Sequence, residues 1–124
     1  MTAAAPGNPK VLDEMRGLLL DRRRELLRQV AQVETDLQWL ETDVESEQLE
    51  AGQEQALAGL LERLDEHDRA EITAIEQALA RIESGEYGTC KACGAPIPLA
   101  RQRAMPSADC CLACADMREA LRRT

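Results

Sequence analysis

Apolar side chains recur at alternating steps of four and three from near the N-terminus to residue 82. Met15, Leu19, Arg22, Leu26, Val30, Val33, Leu37, Leu40 and Val44 form one series, interrupted at Arg22. Leu57, Leu60 with Leu61, Leu64, Asp68, Ile72, Ile75, Leu79 and Ile82 form a second, interrupted at Asp68. This spacing lays one apolar stripe along a helix and is the pattern of a coiled-coil seam. No proline falls within residues 10–82. A single helix of that length would run to about 100 Å and need a partner along all of it. Folding back lets the two series bury each other. The pattern therefore predicts an antiparallel helical hairpin over residues 10–82, with arms of about 50 Å, in preference to a parallel dimer of long helices. The reversal is expected within 44–53, where Gly52 weakens a helix and Ser46 can cap one. With the turn near Glu47, Leu37 faces Leu57, Val30 faces Leu64, Leu19 faces Ile75 and Leu12 faces Ile82. Arg22 and Arg23 then fall opposite Glu71 and Ile72, which gives the polar interruption an acidic partner.

The periodic pattern stops after residue 82. Residues 83–124 are rich in Gly, Pro and Cys and read as a small separate module. A short helix is expected at its C-terminal end, with Leu112, Ala115, Met117 and Leu121 as packing positions. Residues 1–9, small and proline-containing, read as a disordered tail. The expected fold is thus all-α: a coiled-coil hairpin, a small cysteine module and a short C-terminal helix. The first nine residues carry neither a basic n-region nor an apolar h-region, and the longest run of Leu, Ile or Val is Leu18 to Leu20. The reading is a soluble cytoplasmic protein with no membrane partner.

Composition supports helix and narrows the function. Trp39 and Tyr87 are the sole aromatic residues, too few for an ordinary sandwich or doubly wound sheet. Fifteen basic against 23 acidic residues give a net charge of −8, which argues against a general nucleic-acid coat. The charge is also segregated. Between Arg28 and Arg63 there is no Lys or Arg, while Glu34, Asp36, Glu41, Asp43, Glu45, Glu47, Glu50, Glu54 and Glu62 all lie there. Solubility alone does not require such segregation, and like charges near a turn repel one another. The acidic end of the hairpin, with Asp43, Glu45, Glu47 and Glu50 at its centre, is the candidate functional tip.

The five cysteines are confined to residues 90–114. Cys90-x2-Cys93 and Cys111-x2-Cys114, separated by 17 residues, have the spacing of a tetrahedral Zn(Cys)4 site. Gly94 can supply the turn after the first pair, and Lys91 within it offsets thiolate charge. Four thiolates fill the shell and leave no position for water or substrate, so the expected Zn2+ is structural. Cys110 breaks the parity; the two-residue spacing favours Cys111 as ligand and leaves Cys110 as a small packed residue. The module carries Lys91, Arg101, Arg103, Arg118, Arg122 and Arg123, so a zinc-finger nucleic-acid binder is one alternative function and a coiled-coil adaptor is another. No extended helix suited to a major groove is present, which disfavours sequence-specific DNA reading. With one histidine, a closed metal shell and no glycine-rich nucleotide loop, the chain does not read as an enzyme.

The stretch Ala78 to Pro98, ALARIESGEYGTCKACGAPIP, resembles the DksA/TraR family, as does Pro106 to Cys114 with its second cysteine pair. The resemblance implies a bacterial RNA polymerase-binding regulator whose zinc-finger base carries a coiled-coil hairpin. The hairpin enters the polymerase secondary channel, and acids at its tip modulate initiation without reading a DNA sequence. By the same resemblance the family's two tip aspartates correspond to Glu47 and Glu50, one methylene longer. The basic positions of the family's guanosine tetraphosphate site correspond to His67, Ala74 and Ala115, which implies weak or no dependence on that nucleotide. The hairpin, with its seam satisfied internally, is expected to be a monomer.

Overall fold

The computed structural model describes residues 8–32, 40, 49 and 51–123. Among them are five helices: α1 Pro9–Arg28, α2 Ala51–Arg63, α3 Glu66–Ser84, α4 Leu99–Ala104 and α5 Leu112–Arg122. No strand occurs among the described residues, only an isolated antiparallel bridge between Thr89 and Pro96. The all-α expectation holds. No described helix is long and apolar enough to cross a membrane.

The chain divides into two compact units, Leu20–Glu76 and the N-terminal residues through Leu19 with Gln77–Thr124. In the first, Leu26, Leu27, Leu40, Leu57, Leu60, Leu64, Ile72 and Ile75 form the buried apolar set. The seam of α1 differs by one position from the expected one. Arg23, not Arg22, is the buried arginine, at 4% exposure, so the stripe steps from Leu19 to Arg23 to Leu26 and Leu27. Its guanidinium meets Glu76 at 3.0 Å, the pairing that a buried charge requires. Arg22 lies at the seam's edge and grips Glu71 with two nitrogens, at 2.6 and 2.9 Å, as the antiparallel register anticipates. That guanidinium holds the Glu71 carboxyl below its ordinary range.

Neither arm is the unbroken helix that the periodicity suggested. α1 starts at Pro9, where Asn8 accepts the Lys10 amide at 3.0 Å and the missing proline N–H costs nothing. It ends at Arg28, and a turn follows in which the Val30 amide bonds back to Leu27 O. α2 begins at Ala51, so Gly52 lies inside its first turn and not in a reversal. The second arm breaks at Leu64 and Asp65. Asp65 caps α3 by accepting the Asp68 amide at 2.8 Å, and Asp68, the polar position in the second apolar series, lies in the first turn of that helix. Residues 1–7, 33–39, 41–48, 50 and 124 lie outside the described residues, and with them most of the expected reversal.

In the second unit, Met15, Leu19, Ala78, Leu79, Ile82, Tyr87, Cys90, Ile97 and Cys110 are buried. Arg103 donates to Glu14 at 2.8 and 3.2 Å, and Arg16 meets Glu83 at 3.4 Å. α5 departs from expectation: Leu112, Met117 and Leu121 are exposed, and the helix has no buried residue. Its first turn is fixed by two cysteines, which leaves the rest of the helix on the surface.

Candidate metal centre

α3 ends in a Schellman motif. Gly85 takes φ +81°, open to glycine without strain, and the Glu86 amide returns to Arg81 O at 2.9 Å. This turn sends the chain into the cysteine module. Tyr87 is then buried, and its hydroxyl donates to Pro106 O at 2.7 Å, tying the first half of the module to the second. Burial pushes its pKa up to about 12. Further links come from side chains on main-chain carbonyls. Arg101 donates to Cys110 O at 3.0 Å, and the amide of Gln102 donates to Ile97 O at 2.8 Å.

The first cysteine pair sits in a tight loop. The Gly94 amide bonds to Cys90 O at 2.9 Å, and the Cys90 amide to Ala95 O at 2.7 Å, with Gly94 at φ +78°. The second pair straddles the start of α5: Cys111 is the residue before the helix, and Cys114 stands in its first turn. Helix N-termini favour thiolate. The Lys91 amide donates to Asp109 O at 2.8 Å and so fastens one knuckle to the other.

These constraints bring the sulfurs of Cys90, Cys93, Cys111 and Cys114 within 4.8 Å of one another. Cys93 and Cys111 Sγ are 3.8 Å apart. Two ligands at tetrahedral angles on a Zn–S bond of about 2.3 Å would stand about 3.8 Å apart, whereas a disulfide needs about 2.05 Å. The donor set fits zinc in number, softness and spacing. Its acid–base chemistry points the same way. The Cys111 main-chain N–H, with those of Cys93 and Ala92, brings the Cys90 thiol down to about 5. The crowding thiols of Cys111, Cys93 and Cys90 push Cys114 up to about 12. The site thus favours thiolate at Cys90 and resists it at Cys114, where a cation would offset the added charge.

Cys110 stays out of the cluster. It is buried against Cys90 and Ile97, and burial raises its pKa. His67 is exposed at the start of α3, beside Asp65 and Asp68. Asp43, Glu45, Glu47 and Glu50 lie outside the described residues. The sequence reading named neither the helix over Leu99–Ala104 nor the cap at Asp65. The Asp65-x-x-Asp68 pattern was a legible signal for the latter.

A helical chain closed by a four-cysteine metal centre belongs to the class of C4-type zinc-finger proteins. Residues 85–120 match the family described as the prokaryotic dksA/traR C4-type zinc finger. The RNA polymerase-binding transcription factor DksA of Caulobacter vibrioides (strain NA1000 / CB15N) is 34% identical over 101 residues, 82% of this chain and 70% of that protein. DksA of Escherichia coli (strain K12) is 35% identical over 69 residues, 56% of this chain and 45% of that protein. Among solved structures, transcription factor DksA2 from Pseudomonas aeruginosa aligns with a TM-score of 0.58 at 27% identity, over 100% of this chain and 95% of that one. The chain belongs to the DksA/TraR family, and zinc is the metal its cysteine set is built for.

Proposed function

We propose that this protein binds RNA polymerase and regulates transcription initiation, with its helical hairpin entering the polymerase secondary channel. In this reading Cys90, Cys93, Cys111 and Cys114 bind one structural Zn2+ and hold the base that docks. Glu47 and Glu50, flanked by Asp43 and Glu45, act from the tip on the nucleic acid or on basic residues lining the channel. The protein works as a cytoplasmic monomer and catalyses no reaction of its own; a closed four-thiolate shell offers no site for substrate.

The observation that carries the reading is the conjunction, in one family member, of the four-sulfur centre with a stretch of nine acids and no cation between Arg28 and Arg63. Relatives of the chain bear the name RNA polymerase-binding transcription factor. The test is the double substitution Glu47→Gln and Glu50→Gln in a purified transcription system. Size and helix propensity are kept while two charges go. Polymerase affinity should change by about 3-fold or less, because exposed charges contribute little individually. The effect on open-complex lifetime, measured at equal occupancy, should drop far more. Undiminished regulation by the double variant would remove the tip from the mechanism; absence of any polymerase binding by the wild-type chain would remove the reading altogether.

A further inference from the structure

Within the unit Leu20–Glu76, α2 and α3 are parted at Leu64 and Asp65. In an unbroken helix the Asp65 amide would bond to Leu61 O and the Asp68 amide to Leu64 O. Both carbonyls instead receive the guanidinium of Arg69, which donates Nε to Leu61 O at 3.3 Å and a terminal nitrogen to Leu64 O at 3.0 Å. The Leu64 amide shares Leu61 O at 3.2 Å and closes a three-residue turn. The Asp68 amide goes to the Asp65 carboxylate at 2.8 Å. Side chains thus stand in for two helical bonds. The Asp68 amide cannot serve Asp65 and Leu64 O at once, so the two sets of bonds are alternatives.

The local sequence does not force the break. Residues 60–84 contain neither Pro nor Gly, the usual causes of a sharp interruption, and are rich in Leu, Glu, Ala and Arg, which favour helix. The apolar seam does not force it either. Leu57, Leu60, Leu64, Ile72 and Ile75 are the buried positions of this arm. At about 100° per residue, an unbroken helix would set all five within an arc of about 120°, an ordinary core-facing stripe. One helix and two therefore suit the same buried positions. What separates the two forms is a short list of bonds: the Asp65 cap and the two Arg69 bonds on one side, main-chain amides on the other. Arginine suits its part because one planar fork spans two carbonyls and stays charged at any working pH.

We propose that the break between α2 and α3 is a two-state joint: Arg69 and Asp65 hold it in the broken form, and its other form is one continuous helix across Leu64 and Asp65. Release of the Arg69 guanidinium from Leu61 O and Leu64 O, and of the Asp68 amide from Asp65, frees the groups that the continuous form pairs. A partner that binds one form more tightly than the other shifts the joint by that difference in affinity. The joint is a property of the free chain and stands apart from the function proposed above.

The test uses the full zinc-loaded chain with Asp65→Ala and Arg69→Ala together, and the same pair carrying Glu66→Pro. Proline is tolerated at the first position of α3, but inside a continuous helix its ring would clash with the carbonyl of residue 62. Hydrogen exchange reads the protection of the amides at positions 65 and 66, which only the continuous form bonds to the carbonyls of residues 61 and 62. The amides of Leu60 and Ile72 report that the unit stays folded. Loss of a cap at an ordinary helix end frays it and lowers protection nearby. At this joint the double alanine variant should instead gain protection about tenfold at both positions, since the broken form alone loses a cap and two guanidinium bonds. Adding Glu66→Pro should return position 65 to the wild-type level. Should the double variant fail to fold, Arg69→Ala alone carries the test, with a gain of about 3-fold. Unchanged or lowered protection at positions 65 and 66, or a gain that Glu66→Pro leaves in place, overturns the joint. Polymerase binding enters neither outcome, so the proposed function is judged separately.

Discussion

The two units terminate their helices by different means. Where α3 ends, in the cysteine-bearing unit, the main chain caps itself: Gly85 turns left-handed, and Glu86 and Tyr87 return amides to Arg81 O. Where α1 and α2 end, in the unit Leu20–Glu76, carbonyls at or just past the helix ends are met by arginines from 33, 8 and 5 residues away. The first kind of cap is local and stiff. It leads into a module whose order comes from short-range amide bonds and four convergent sulfurs. The second kind joins separate helices, so order there depends on a buried apolar seam and on side chains with rotamer freedom to lose. The metal-centred unit should therefore fail as a whole when its centre is removed, while the helical unit should yield in graded steps.

Removing the metal is the hardest test of that contrast. Structural zinc contributes on the order of 10–16 kcal/mol of apparent binding free energy, which is also folding free energy. Chelation, or Cys93→Ser with Cys111→Ser, should abolish stoichiometric zinc and expose the amides of residues 86–115 to exchange. Protection of Leu57, Leu60, Ile72 and Ile75, buried in the other unit, should change little. Retained protection of residues 86–115 in metal-free protein would show that hydrogen bonds alone hold the module, and the contrast would collapse.

The same contrast explains what was legible in the sequence. The four-cysteine cluster was legible because its cysteines, its turn glycine and the parity-breaking Cys110 lie within residues 90–114. The helical class was readable from the three–four period. Its seam was off by one, because a stripe of 3.6-residue period admits Arg22 or Arg23 equally and the buried choice depends on Glu76, 53 residues away. The ends of α1 and α2 were illegible for the same reason: their caps come from Arg63 and Arg69, and no proline marks the break. α5 misled in the opposite sense, since an amphipathic pattern states what a helix can bury and not whether anything covers it. A second prediction follows from the seam. Leu60→Ala, at a site with 0% exposure, should cost the helical unit about 2–5 kcal/mol by denaturant melting. Zinc content should stay at one per chain. Loss of zinc in this variant would mean that the two units do not fail separately.

The smallest effect should come from Tyr87→Phe, which removes one hydroxyl and leaves the ring in place. The Tyr87 hydroxyl donates to Pro106 O, and the substitution leaves that acceptor short of a donor, at a cost of about 1 kcal/mol near neutral pH. The pH dependence identifies the cause. In the folded protein burial raises the phenol from 10.0 to about 12. Above pH 10 the unfolded chain loses this proton while the folded chain keeps it, so ionisation stabilises the unfolded state and not the folded one. The contribution of Tyr87 is fully present below pH 10 and is lost as the pH rises through about 12. The stability difference between wild type and Tyr87→Phe should accordingly shrink over that window, with the wild type losing more; taking the difference cancels the other groups that titrate there. The measurement is denaturant melting of the zinc-loaded module at pH 8, 10 and 11, with zinc content checked at each. A constant difference across these pH values would mean that the hydroxyl is not held in a buried bond to Pro106 O, and that the module is joined without it, by the Lys91–Asp109 amide link and the Arg101 and Gln102 side-chain bonds among others.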